Sequence, residues 1–125
     1  MAPIDLARLR DFSDGSDQGM RELAGLFLLH MEECVEALRG GMQAGDSERL
    51  RNEAHRAAGT AGACGAHALA TLLSGLETTD AAERAAASLT RVPEIEAELS
   101  HVRRFLSESL GHAGDHSTPD AKAPK

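Results

Sequence analysis

Between residues 20 and 38 the apolar side chains Met20, Leu23, Phe27, Met31, Cys34 and Leu38 recur in steps of three and four. That spacing puts them on one face of an α-helix and on no single face of a strand. A stripe this long must be covered, so the helix needs partners of the same kind. Composition points the same way. Aromatic residues make up only 2% of the chain, with no Trp or Tyr, which argues against a sheet, while Ala, Leu, Glu and Arg are abundant. With 125 residues, 42% of them hydrophobic, the chain can build one core and one domain.

Further stripes follow. A short helix is expected over residues 3–12, with Ile4, Leu6, Leu9 and Phe12 as its apolar residues. "SDGSD" ends it, and Ser16 or Asp17 can cap the long helix over 18–44, whose last turns Gly40 and Gly41 weaken. Asp46 caps a third helix over 47–63 with the inward positions Leu50, Ala54, Ala57, Ala61 and Cys64, mostly small enough for a neighbour to come close. Gly65 can take positive φ at the turn. A fourth helix is expected over 67–78 with Leu69, Leu72, Leu73 and Leu76 inward. Asp80 and Glu83 have the spacing of a capping box before a fifth helix over 81–110. Pro93 should kink or restart that helix, whose stripe is Ile95, Leu99, Val102 and Leu106. The fold expected is all-α: an antiparallel four-helix bundle with a short extra N-terminal helix, over residues 1–111. Residues 112–125 lack apolar periodicity and read as a disordered tail.

A formal charge of −7 disfavours nucleic acid or an anionic membrane as a main partner. No apolar run approaches the roughly 20 residues of a membrane span. The N-terminus lacks the apolar stretch of a signal peptide, and Cys34 and Cys64 show no framework spacing. A cytoplasmic monomer with reduced thiols is therefore expected.

His55 lies about 100° round the third helix from the inward Ala54. Its neighbours on the same face are Arg51, Asn52, Ala58, Gly59 and Gly62. Glycine costs roughly 1 kcal/mol against alanine inside a helix. The small residues C-terminal to His55 make sense as access, leaving the imidazole open to another protein's surface.

The stretch "AHRAAGTAGACGAHALATLLSGLE", residues 54–77, resembles the signature of histidine-containing phosphotransfer (HPt) domains: His55, Gly59 four residues on, the small Thr60 and Ala61, Gly65 and Ala66 at the turn, then a Leu-rich helix ending in Leu76 and Glu77. The segment "LFLLHMEECVEALRGGMQAGDSERLRNEAH" resembles the family's preceding helix and turn, and the likeness extends over residues 4–110.

The resemblance implies a phosphorelay intermediate. His55 accepts a phosphoryl group from a receiver-domain aspartate and passes it to another receiver in two-component signalling. Partners would be receiver domains of response regulators or a hybrid histidine kinase. Mg²⁺ would belong to the receiver, and this chain would need no cofactor or ATP site of its own. Imidazole, with an ordinary pKa of about 6.5, is a nucleophile at cell pH. Glu77 matches a position where the family often has Glu or Gln, and would orient His55 through Nδ1–H. The family commonly has Lys three residues after the histidine, and here Ala58 stands there. Arg51, one turn before His55, is the candidate replacement for phosphate neutralisation. Ala58, Gly59, Gly62 and Asn52 would form the docking surface.

Two other readings compete. One is a metal-binding bundle using His30 and Cys34, spaced i, i+4, although both interleave with Phe27 and Met31. His112 and His116 share that spacing in the tail, and His67 and His101 have no evident partner. The other is an HPt-like docking module that transfers no phosphoryl group.

Overall fold

The computed structural model describes residues 2–111. Five helices follow one another: α1 (Leu6–Phe12), α2 (Asp17–Ala44), α3 (Ser47–Ala63), α4 (His67–Glu77) and α5 (Ala81–Leu110), with no strand among the described residues. The long helices make a bundle with one core, formed by the expected stripes. The expected tail and its His112 and His116 lie outside the described residues.

Local chemistry explains most helix ends. The Asp5, Ser16 and Asp46 side chains accept from the amides of Ala7, Gly19 and Arg49, satisfying first-turn donors that have no partner within the helix. Gly65, at φ +88°, closes α3. The Ala66 amide donates to the Ala61 carbonyl and the Gly65 amide to the Gly62 carbonyl, the paired bonds of a Schellman turn. The Asp5 amide donates to the Gly65 carbonyl at 3.0 Å, seating the start of α1 on this turn. A side chain at Gly65 would meet Asp5.

Several expectations need correction. Asp80 is exposed and makes no side-chain cap bond; the Glu83 amide donates instead to the Asp80 carbonyl at 2.9 Å. The helix does not restart at Pro93 but runs through it. Pro93 and Leu89, whose carbonyl loses its usual partner, both face solvent, where water can substitute. Gly40 and Gly41 lie in the last turns of α2, where they were expected. A Cβ on Gly41 would press on Leu50 at 3.1 Å, so this glycine serves the approach of α3. Cys64 and Leu72 are half-buried at the edge of the core, and Phe12 is exposed.

The stripe of α5 also continues backwards from Ile95 through Val92, Ser88 and Arg84, all buried. Arg84 is only 5% exposed, and it sits where the end of α4 meets the start of α3.

Candidate functional site

Among the described residues, α3 and α4 share the most extensive helix–helix contact. Ala57 and Ala61 are fully buried, and small side chains there let the helix axes draw together. The contact brings His55, midway along α3, beside Glu77, the last residue of α4. His55 Nδ1 lies 2.7 Å from Glu77 Oε2. The His55 side chain is 72% exposed, whereas that of Glu77 is 23% exposed. The better-covered carboxylate therefore holds the more open ring. An ionised carboxylate only accepts, so Nδ1 carries the proton in this bond and Nε2 keeps its lone pair. A contact this open to water contributes at most about 1 kcal/mol to stability, so its main consequence is orientation.

Beyond His55 the helix surface is bare. A Cβ on Gly59 would meet nothing within 4 Å, so no packing contact in this chain requires glycine there. Gly62 differs: it is half-buried, and its Cβ would make an ordinary contact with Ala70 of α4. Ala58 is half-buried against the core, while Asn52 is exposed. Gly59 also lines an open groove of about 480 Å³ with Phe12, Leu23, Thr60, Ala63 and Cys64. The contribution of α1 to this groove was not legible from the third helix, although an apolar Phe12 at the end of a short helix was a signal.

Arg51 lies one turn before His55 on the same helix. Its Nη2 donates to Glu48 Oε2 at 3.2 Å and to Asn52 Oδ1 at 2.8 Å. The guanidinium is thus engaged, by a pair that is largely open to solvent.

His30 and Cys34 are neighbours, with Nε2 and Sγ 3.7 Å apart and Thr60 Oγ1 3.5 Å from the same nitrogen. Burial pushes the Cys34 thiol above its ordinary range, and Glu53 adds to the shift. Among the described residues, no group of three or more His, Cys, Asp or Glu side chains is placed to hold a metal. His67 is exposed at the start of α4, and His101 faces Glu98 at 3.8 Å on α5.

An open imidazole held through Nδ1 by a carboxylate on the next helix matches the arrangement implied by the sequence resemblance. A comparison with protein families found the Hpt domain, matched over residues 22–105. The chain belongs to the Hpt domain family. The match runs from the first turns of α2 into the last turns of α5, and α1 lies before it. The Hpt domain supports a role in phosphorelay signalling, as a phosphotransfer intermediate in contact with receiver domains or kinases. No described helix is long and apolar enough to cross a membrane. No curated protein matched the chain, and no solved structure did.

Proposed function

We propose that His55 is the phosphoryl acceptor and donor of this Hpt domain. It takes the group from the phosphoaspartate of one receiver domain and passes it to the aspartate of another. The observation that carries this reading is the exposed ring whose Nδ1 is held 2.7 Å from Glu77 Oε2. Nε2 attacks phosphorus, the N–P bond forms, and the bond from phosphorus to the aspartyl oxygen breaks, releasing the receiver's carboxylate. The Nδ1 proton stays between His55 and Glu77, whose negative charge offsets the positive charge that the ring gains. The return step reverses these bonds on the second receiver. In-line positioning and charge neutralisation carry such a reaction, and the receiver's Mg²⁺ supplies much of the latter.

The open surface at Gly59 and the groove beside it suit the approach of a receiver. Asn52 borders the same face, and Gly62 and Ala58 keep it low. Ala58 offers no charge, so Arg51 is the candidate cation for the phosphoryl oxygens. Its pairing with Glu48 is worth about 0–1 kcal/mol, so exchanging that partner for phosphate costs little. The chain itself needs no cofactor or nucleotide in this reading.

The test is incubation with ³²P-labelled receiver domains. Label should appear on the wild-type chain as an acid-labile, alkali-stable phosphoramidate, and ATP alone should add none. Full labelling of a His55→Gln protein overturns the proposal.

A further inference from the structure

Arg84 is a charged side chain in the interior, 5% exposed, and all its partners are oxygens without formal charge. Nε donates to the Leu76 carbonyl at 3.2 Å. Nη2 donates to the carbonyls of Glu77 at 3.1 Å and Thr79 at 2.7 Å. Nη1 donates to Ser47 Oγ at 2.8 Å and to the Ser47 carbonyl at 3.3 Å. Five N–H donors thus meet five acceptors, which fills the guanidinium's inventory. Ser47 Oγ in turn donates to the Ala81 carbonyl, tying the start of α3 to the start of α5.

These acceptors are not scattered. Three are carbonyls at or just past the C-terminal end of α4, where few amides remain to pair them and the helix dipole favours a cation; the Leu76 carbonyl also takes the Thr79 amide at 3.4 Å. The other two belong to the first residue of α3. A planar, rigid fork therefore joins the end of one helix to the beginning of another. Glu77 is gripped directly, through its own carbonyl, while its carboxylate reaches His55. His55 lies eight residues after Ser47, about 12 Å further along α3. The height of α3 against α4 at this end decides whether the Glu77 carboxylate meets Nδ1.

We propose that Arg84 is a positioning residue for phosphoryl transfer: one guanidinium sets the register of α3 against α4 in which Glu77 holds the His55 ring. The proposal rests on His55 being the phosphoryl acceptor. Arg84 touches neither the imidazole nor the phosphoryl group. It acts through the backbone of Glu77 and the anchored start of α3. Apolar side chains could fill its volume, but they would leave the Leu76, Glu77 and Thr79 carbonyls without this donor.

The test uses protein labelled with ¹⁵N-histidine and compares wild type, Glu77→Ala, Arg84→Met, Arg84→Lys and Arg39→Met. Arg39 bridges α2 to α5 by pairing with Glu96, and its loss controls for the removal of an interhelical arginine. In folded Arg84→Met, the His55 nitrogen shifts should move from the Nδ1–H tautomer towards the mixture seen in Glu77→Ala. Transfer from a phosphorylated receiver should fall about tenfold, within the ~100-fold that a misplacement of about 1 Å costs. Arg84→Lys has too few donors to span both helix ends and should lie between wild type and Arg84→Met. Arg39→Met should keep the wild-type tautomer. Wild-type shifts or wild-type transfer in folded Arg84→Met overturns the proposal. Should that variant not fold, Arg84→Lys decides by the same two readings. If wild-type His55 accepts no phosphoryl group, the proposed function fails, while the nitrogen shifts still report whether Arg84 sets the ring.

Discussion

His30 and His55 sit on neighbouring helices, each four residues before a small side chain, Cys34 in one case and Gly59 in the other. Their surroundings differ in every respect that matters for chemistry. His30 is half-buried, and its Nε2 faces the neutral groups Cys34 Sγ and Thr60 Oγ1. His55 is open to solvent, with Nδ1 on a carboxylate and bare helix beyond it. His30, with Glu33, Glu53 and Arg56 lining the same hollow, contacts Cys34 on its own helix and Thr60 on α3 and so links the two helices. A histidine oriented by a carboxylate and exposed at its other nitrogen has the geometry that the proposed transfer needs. Residue type and helical spacing are nearly the same; the partner and the access are not.

The sharpest way to break this comparison is to exchange the two histidines for glutamine. His55→Gln should abolish transfer from a labelled receiver. His30→Gln should keep at least half of the wild-type rate while losing some thermal stability. Equal losses of transfer would erase the distinction.

Access is the next point of attack. Gly59→Leu puts a branched side chain on the open surface one turn from His55. Transfer should fall tenfold or more, whereas the melting temperature should hold or rise, since leucine is favoured over glycine in a helix by up to about 1 kcal/mol. A marked drop in melting temperature with intact transfer would make Gly59 a packing residue.

Orientation should have a smaller effect. Glu77→Ala should slow transfer about tenfold without abolishing it, because the nucleophile remains, and should mix the His55 tautomers. Glu77→Gln should be milder, since its carbonyl can still accept from Nδ1. Rates from a single phosphorylated receiver and ¹⁵N shifts decide this together.

The smallest effect concerns the thiols on the His30 side and in the groove. Burial raises both the Cys34 and Cys64 thiols above the usual range. A raised pKa leaves less thiolate at a given pH, so alkylation near pH 7 should be several-fold slower than for a free cysteine peptide. It should accelerate only above the ordinary thiol range. Fast labelling of Cys34 at neutral pH would show that the His30 region opens far more readily than its burial suggests.

Much of this was legible in the chain. Stripes in steps of three and four marked the long helices, and the caps at Ser16 and Asp46 and the turn at Gly65 placed their ends. The pairing of His55 with Glu77 was an implication of the family resemblance, and the contact itself is seen only in the structure. Arg84 was harder to see. It continues the α5 stripe backwards from Ile95 in steps of three and four, but a charged residue on an apolar stripe is ordinarily a reason to end the stripe. The Asp80 capping box and a restart at Pro93 did not form: Asp80 makes no side-chain cap bond, and the helix runs on through Pro93, whose side faces solvent.

The sequence by itself determined which residues share a face, where most helices begin, and that His55 stands outside the core beside glycine. These follow from the period of the helix and from the local chemistry of its ends. Only the tertiary structure decided that Glu77 reaches Nδ1, that Phe12 from α1 joins the groove at Gly59, and that Arg84 links the end of α4 to the start of α3. Each of these depends on the height and rotation of one helix against another. That register comes from close packing between helices, such as Gly41 against Leu50, and the periodicity of each helix carries no record of it.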